Sequence, residues 1–209
     1  MEHSVELWGA RTGNSLRAAI ALEEAGVSYE VKHVDLRAKQ HQTPEYLTLN
    51  PVGQVPVLVS TAGSNRLLLP QSNAIMFFAA ETGPNRLLPP SGTPEYFLAL
   101  ERYFYFLTDV ISASGSGFIL KSQGSADGER LYERVVERSN WADRFLTETP
   151  YLAGNQFTLA DIAAYTIIWA FRDRFEWASV PNLKRWYELV GSRPAVKRGM
   201  HIFDQPAAT

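Results

Sequence analysis

Apolar and polar residues alternate with two different periods along the first eighty residues of the chain. Alternation from Ser4 to Trp8 predicts a strand, and apolar residues at helical spacing from Ser15 to Ala25 predict a helix that ends at Gly26. The same two patterns then recur. The predicted elements, in chain order, are a strand over 4–8, a helix over 15–25, a strand over 29–36, a helix over 44–49, two strands between Val55 and Pro70, and a helix over 71–81.

The rest of the chain carries only helical patterns. Residues 83–93 concentrate glycine and proline, so we expect a linker there. Helices are predicted over 94–111, 129–147, 159–169 and 183–190, with a loop or a break over 112–128. The expected fold class is therefore α/β plus all-α, with a small mixed domain of residues 1–82 and an all-helical domain of residues 94–209.

Composition and charge narrow the chemistry. The 209 residues carry a net charge of -2 and include no cysteine. Nucleic-acid binding usually needs a clustered positive excess, so nucleic acid is not an expected partner. Without cysteine the chain has no disulfide and no thiol nucleophile, and any sulfur chemistry must use the sulfur of a ligand. The four histidines lack ligand spacing, so no metal is expected.

Hydropathy also bears on location. No apolar run approaches the length of a membrane span, and the N-terminal residues MEHSVELWGA lack a basic segment followed by a long apolar one. We therefore expect a cytoplasmic protein with no membrane partner.

The segment of residues 50–78, NPVGQVPVLVSTAGSNRLLLPQSNAIMFF, combines two features that suit a ligand. A proline that opens a strand, as in Val55-Pro56, can leave neighbouring backbone groups open to a ligand. The helix that begins at Gln71 and Ser72 offers N–H groups and the positive end of its dipole, which suit a carboxylate. The segment predicts a cradle for a small extended peptide with acidic ends. An ordinary hairpin followed by a Ser72-capped helix is the alternative.

The loop between the first strand and the first helix supplies Thr12, Asn14 and Ser15. Loops at the carboxyl end of a strand commonly bind ligands in α/β folds. Lowering the pKa of a thiol from about 8.5 by one unit takes about 1.4 kcal/mol, which one or two oriented hydrogen bonds can supply. These side chains are therefore candidates for stabilising a thiolate. The alternative is that Asn14 or Ser15 simply caps the helix.

Three further groups of residues allow both a functional and a structural interpretation. His41 is a candidate partner for a second carboxylate, or a solvated surface residue. Thr158 and Asp161 form a capping box with Asp in place of the usual Glu or Gln, which indicates a structural role. Aromatic residues of the helical half line an apolar pocket in one interpretation and form core in the other. The candidates are Tyr103, Phe106, Phe118 and Trp169.

Four motifs, in this order and spacing, resemble the cytosolic glutathione S-transferases. They are TGNSLRAAIALEEAGVSYE from Thr12, NPVGQVPVL from Asn50, LPQSNAI from Leu69 and FTLADIAAY from Phe157. The resemblance covers essentially the whole chain. It implies a thioredoxin-like domain of residues 1–82 that binds glutathione, followed by an all-helical domain that contributes the electrophile pocket.

The resemblance also implies a role for each site residue. Gln54, Val55 and Pro56 would hold the cysteinyl part of glutathione, with the Val55 backbone just before a cis peptide bond. Gln71 and Ser72 would hold the γ-glutamyl end, and His41 would lie near the glycyl end.

The run TGNS is similar to the TPNG of the bacterial class related to the yeast nitrogen-regulator prion protein. This similarity implies that Thr12 ranks first, Asn14 second and Ser15 third in stabilising the thiolate. Gly13 departs from the proline of that class, and Gln71 departs from the commoner glutamate.

The implied reaction is attack by the glutathione thiolate on a small hydrophobic electrophile, a peroxide or a disulfide. Glutathione would act as co-substrate, no other cofactor is expected, and the family usually forms homodimers. One alternative is a glutathione-dependent isomerase of the maleylacetoacetate type, whose serine- and cysteine-bearing loop is absent here. Another is a non-catalytic transferase-like binding module, against which the joint presence of Thr12, Asn14, Gln71 and Ser72 argues.

Overall fold

A computed structural model describes residues 3–204 of the chain. Residues 1–2 and 205–209, which the predicted domains include, lie outside the described residues. The chain divides into two units. The first comprises residues 3–87 together with 194–204, and the second comprises residues 88–193.

The described residues contain four strands and nine α-helices. The strands are β1 (His3–Gly9), β2 (Glu30–His33), β3 (Val57–Ala62) and β4 (Asn65–Leu69). The helices of the first unit are α1 (Gly13–Ala25), α2 (Pro44–Leu49), α3 (Ser72–Thr82) and α9 (Pro194–His201). Those of the second are α4 (Pro94–Tyr105), α5 (Ser112–Ser122), α6 (Asp127–Trp141), α7 (Leu159–Phe171) and α8 (Pro181–Ser192).

The four strands form one mixed sheet in the order β2-β1-β3-β4. β1 and β2 run parallel and are joined through α1, whereas β3 is antiparallel to both β1 and β4. A parallel pair requires such a helical crossover, and the antiparallel pair β3 and β4 needs only a tight turn. The mixed sheet with its helices confirms the predicted thioredoxin-like domain.

Side-chain alternation along the central strands builds a core on both faces of this sheet. Val57 and Val59 pack with Tyr46 and Leu49 of α2 on one face. Leu58 lies between them in sequence and is fully buried, so it points to the opposite face. A sheet covered on both faces explains why β3 begins with three consecutive apolar residues, Val57, Leu58 and Val59.

Helix α9 lies on α1, and sequence reasoning did not predict it. A Cβ added at Gly199 would lie 2.7 Å from the Ile20 Cα, so the two helices are in backbone contact. This contact explains why residues 194–204 belong to the first unit, whereas the predicted division assigned residues 94–209 to one helical domain.

The second unit is entirely helical among its described elements, as the fold prediction expected. Its central helix, α7, is apolar almost all round and is buried along most of its length. α4 and α8 pack against α7, and α5 packs against α6. Within residues 3–204, none of the helices is both long and apolar enough to cross a membrane.

The segment between α4 and α6 departs from its predicted structure. The loop expected over 112–128 is wrong for most of its length, because α5 occupies Ser112–Ser122. One of its two glycines has a packing role: a Cβ at Gly117 would lie 3.1 Å from the Gly128 carbonyl oxygen and 2.8 Å from the Tyr132 ring. The single helix predicted over 94–111 is also interrupted, since residues Phe106–Ile111 are π-helical.

Candidate active site

Three of the predicted site segments leave the sheet at the same edge. Trp8 near the end of β1 pairs with Val57 at the start of β3, and Leu58 pairs with Leu69 at the end of β4. The loop after β1, the approach to β3 and the start of α3 therefore emerge side by side. Since neighbouring strands lie about 4.8 Å apart, the three segments span about 10 Å.

Thr12 is the N-cap of α1. Its Oγ1 accepts a hydrogen bond from the Ser15 N–H at 3.3 Å, and its backbone carbonyl accepts from the Leu16 N–H at 2.9 Å. The prediction that Asn14 or Ser15 provides the cap is therefore wrong. The cap lies two or three residues earlier because the helix already begins at Gly13.

The three candidate side chains of this loop differ in exposure. Thr12 is partly exposed, Asn14 is exposed, and Ser15 is fully buried. The Ser15 Oγ lies 3.1 Å from the Thr12 Oγ1, and it accepts from the Ala10 N–H at 3.5 Å. Because the Ser15 hydroxyl is fully buried and lies against the Thr12 hydroxyl, it can act on a ligand through Thr12.

The segment before β3 is held from both sides. The peptide bond between Val55 and Pro56 is cis, as the family resemblance implied. The carbonyl oxygen of Gln54 accepts from the Tyr46 hydroxyl at 2.8 Å and from the Asn50 Nδ2 at 2.7 Å. Burial raises the pKa of Tyr46 to about 12, so this hydroxyl stays a donor at neutral pH.

The start of α3 is capped by Gln71. Its Oε1 accepts from the Asn73 N–H at 2.7 Å and from the Asn73 Nδ2 at 3.1 Å. The alternative in which Ser72 caps this helix is wrong, because Ser72 is already the first helical residue and is buried. Gln71 remains exposed, with its amide nitrogen available as a donor.

His41 lies in a 3₁₀ turn, Gln40–Gln42, next to the segment before β3. A Cβ added at Gly53 would lie 3.0 Å from the His41 carbonyl oxygen, and Gly53 has a φ of 66°. The backbone of His41 therefore requires glycine at this position. The His41 side chain is partly buried, and its Nδ1 has no hydrogen-bond partner among the described residues.

The four aromatic residues proposed for an electrophile pocket do not share one environment. Tyr103 and Phe106 are 1% and 0% exposed and lie in the core of the second unit, which matches the structural interpretation. Phe118 is 67% exposed, and Trp169 is partly exposed with the Arg172 guanidinium 4.9 Å from its ring centre. A pocket role stays a prediction for these last two.

Several supporting residues escaped sequence reasoning. Asn50 opens the motif NPVGQVPVL, and Tyr46 lies four residues before it. Nothing in the motif shows that both side chains donate to the Gln54 carbonyl oxygen. Phe203 and Asp204 follow α9, a helix that was not predicted. Among the described residues, no group of histidine and acidic side chains has the arrangement of a metal site.

Comparisons with known proteins agree with this architecture. The family model of the glutathione S-transferase N-terminal domain matches residues 3–81, and that of the C-terminal domain matches residues 126–189. Glutathione S-transferase 3 of Zea mays is 30% identical, over 92% of this chain and 91% of its own length. The disulfide-bond oxidoreductase YfcG of Escherichia coli is 27% identical, over 94% of both chains.

A solved structure shows the same fold. A glutathione transferase family member from Pseudomonas fluorescens, crystallised with two glutathione molecules bound, superposes with a TM-score of 0.82 at 25% identity. The superposition covers 94% of this chain and 92% of that one. The two domain models, the whole-length relatives and the shared fold establish that the chain belongs to the glutathione S-transferase family.

Proposed function

We propose that this chain binds glutathione along the edge of its sheet, stabilises the thiolate and transfers it to small electrophiles or disulfides. Three extended residues span at most about 10–11 Å, which matches the width of the edge from the β1 loop to the start of α3. In this proposal the backbone of Val55 binds the backbone of the cysteinyl part of glutathione. Gln71 and Ser72 bind the γ-glutamyl end, and His41 lies toward the glycyl end.

The proposal rests mainly on the hydrogen bonding of the Thr12 hydroxyl. A hydroxyl has two acceptor positions and one proton to donate. The Ser15 N–H occupies one acceptor position, and the Ser15 Oγ lies within hydrogen-bond distance to occupy the other. When Ser15 donates both of these hydrogen bonds, both acceptor positions of the Thr12 hydroxyl are occupied. The Thr12 O–H is then left to donate a hydrogen bond to a ligand. A thiolate is the acceptor that this arrangement suits.

The energetics of thiolate formation lie within the reach of this group. Lowering the pKa of a thiol from about 8.5 to about 7 requires about 2 kcal/mol of preferential stabilisation. A hydrogen bond to a charged group contributes about 1.5–3 kcal/mol, and the N-terminus of α1 adds a favourable dipole. Ser15 then acts as a positioning residue for Thr12, and Asn14 provides a second donor at the exposed start of the helix.

We propose two uses of the activated thiolate. Attack on an electrophilic carbon forms a thioether and expels the leaving group. Attack on a disulfide forms a mixed disulfide and releases one thiolate, and a second glutathione thiolate then yields glutathione disulfide and the other thiolate. The disulfide activity named for the Escherichia coli relative supports the second use. With no cysteine in the chain, each sulfur comes from a ligand.

The Thr12 and Asn14 loop further supports assignment to the bacterial class related to the yeast nitrogen-regulator prion protein. We also propose a cytoplasmic homodimer, as the family resemblance implies. The exposed apolar side chains of Phe97, Leu98 and Phe104 on α4 are candidates for covering by a second copy. Sedimentation at several protein concentrations tests the assembly, and a concentration-independent monomer mass contradicts it.

Ultraviolet absorbance of the glutathione thiolate, followed as a function of pH, tests the central proposal. We expect the wild-type protein to lower the pKa of bound glutathione below that of free glutathione. Thr12→Ala should reverse most of that shift and lower kcat about tenfold to a hundredfold, equivalent to about 1.4–2.7 kcal/mol. Failure of the wild-type protein to bind glutathione or to increase its ionisation would refute the function.

A matched pair of variants separates catalysis from helix capping. Thr12→Ser keeps both the cap and the donor and should retain turnover. Thr12→Asp caps a helix as well as threonine does, but its carboxylate cannot donate and repels a thiolate. We therefore expect Thr12→Asp to fold with normal stability and to lose activity. A fully active Thr12→Asp enzyme would exclude Thr12 from the role assigned to it.

A further inference from the structure

The chain returns to the Thr12 loop at its C-terminal end. Helix α9 is fixed on α1 by the contact of Gly199 with Ile20 and by an ion pair between Arg198 Nε and Glu23 Oε2 at 2.6 Å. The residues that follow α9 then contact the segment between β1 and α1. These contacts lie within the first unit of the structure.

Phe203 covers the base of the Thr12 loop. Its side chain is only 6% exposed, and a Cβ added at Gly9 would lie 2.6 Å from its Cζ atom. The same Cβ would lie 3.1 Å from the Ser15 Oγ, so Gly9 separates the phenyl ring from the buried hydroxyl. The ring also meets the edge of the His33 ring at a centroid distance of 5.7 Å. Phe203 is therefore part of the wall that keeps Ser15 away from water.

Asp204 holds the other side of the loop. Its Oδ1 lies 3.0 Å from the Arg11 Nε, and its Oδ2 lies 2.6 Å from the His201 Nδ1. Its backbone N–H donates to the His201 carbonyl oxygen at 3.0 Å, which closes a turn after α9. Arg11 immediately precedes Thr12. The side chains of Arg11 and Asp204 are 51% and 33% exposed, and exposed ion pairs add little to the stability of a protein. The Arg11–Asp204 pair is therefore better suited to fixing the position of the loop than to stabilising the fold.

We infer that Phe203 and Asp204 brace the thiolate loop and act as positioning residues for the Thr12 hydroxyl. This inference rests on the proposed function of Thr12. Phe203 supports the loop through Gly9 and Ser15, and Asp204 supports it through Arg11, so the cap residue is held from both ends. The hydrogen bonds between Thr12 and Ser15 weaken when the loop shifts by more than about a few tenths of an ångström. The orientation of the Thr12 hydroxyl is therefore lost when the residues around the loop become mobile.

The test compares Phe203→Leu and Asp204→Asn with the wild-type protein. We expect kcat to fall about tenfold, which is 1.4 kcal/mol, and the pKa of bound glutathione to rise. The KM for glutathione should change less, because the other predicted contacts lie at Val55 and at the start of α3. Arg11→Gln breaks the same ion pair, so it should lower kcat in the same direction as Asp204→Asn, and the double variant should lose less than the sum of the two single losses.

Arg198→Gln is the matched control, because it breaks the ion pair of α9 with α1 at a distance from the loop. It should leave kcat and glutathione ionisation unchanged. Wild-type values in Phe203→Leu and Asp204→Asn would overturn the inference. An equal loss in Arg198→Gln would also overturn it, because the effect would then come from docking of α9 as a whole.

Amide hydrogen exchange distinguishes failure of the brace from failure of the proposed function. The N–H groups of Ser15 and Leu16 bond to Thr12, so loosening of the loop accelerates their exchange. We expect faster exchange in Phe203→Leu and Asp204→Asn and wild-type exchange in Arg198→Gln. If the wild-type protein fails to ionise glutathione, the proposed function is wrong, and these exchange rates still decide whether the brace exists. Unchanged exchange in the two brace variants refutes it.

Discussion

Removing the carboxylate of Asp161 should destabilise the second unit more than any change at its surface. Asp161 is fully buried at the start of α7, and burial raises the pKa of its carboxyl. Its Oδ1 accepts from the Leu152 N–H at 3.0 Å and from the Trp186 Nε1 at 2.8 Å, and its Oδ2 accepts from the Thr158 N–H at 2.8 Å. One side chain thus joins the cap of α7 to α8 and to the preceding loop.

The magnitude follows from the groups that Asp161→Ala leaves behind. Three N–H donors would remain buried and without an acceptor, and each costs about 1–3 kcal/mol. Since the variant also removes a carboxylate whose burial is unfavourable, the low end of the sum applies, about 3–5 kcal/mol. For a chain of this length, each kcal/mol lowers Tm by about 2–4 °C, so we expect a decrease of about 6–20 °C.

Thermal and urea unfolding, followed by circular dichroism, measure this effect. Asp143→Ala is the matched control, because Asp143 also accepts bonds at a helix start, from the Asn182 and Leu183 N–H groups at 2.7 and 2.8 Å. Asp143 is only partly buried, so water can replace it, and we expect a cost of about 1 kcal/mol. Equal losses in the two variants would refute the reasoning, since burial would then not set the cost.

Two further predictions concern the first and second units in turn. Tyr46→Phe removes one of the two donors to the Gln54 carbonyl, so we expect a loss of about 1 kcal/mol of stability and a higher KM for glutathione, measured by unfolding and initial rates. Hydrogen bonds from Arg174, then from Lys121, lower the pKa of Glu129 to about 2. Their stabilisation is present above the ordinary pKa of 4.5 and is lost as pH falls toward 2, so the stability difference between wild type and Glu129→Gln should shrink over that range.

The first unit was largely predictable because its patterns are local. Strand alternation, the Gly26 helix stop and proline at the start of α2 each act within a few residues, and the structure places the corresponding elements close to their predicted bounds. Order along the chain then limits the topology, because a parallel pair needs a crossover helix.

Local patterns did not reveal features that depend on distant contacts. α5 contains Gly115 and Gly117, which lower intrinsic helix propensity, yet packing on α6 stabilises the helix. The helix caps of α1 and α3 shifted because hydroxyl and amide residues occur at several neighbouring positions, and only the backbone conformation selects among them. The contact of Phe203 with Gly9 joins residues at opposite ends of the chain and leaves no local signal.

The π-helical turn between α4 and α5 also determines which changes of length this part of the chain tolerates. A π-helical turn contains one residue more than an α-helical turn, and each residue of a helix rotates the following face by about 100°. Deleting one residue within Phe106–Ile111 would remove that additional residue and restore continuous α-helix, so α5 would keep its orientation and Gly117 would stay against Gly128. A single deletion here should therefore preserve the pairing of α5 with α6, whereas a single deletion within α5 ahead of Gly117 should rotate Gly117 away from α6.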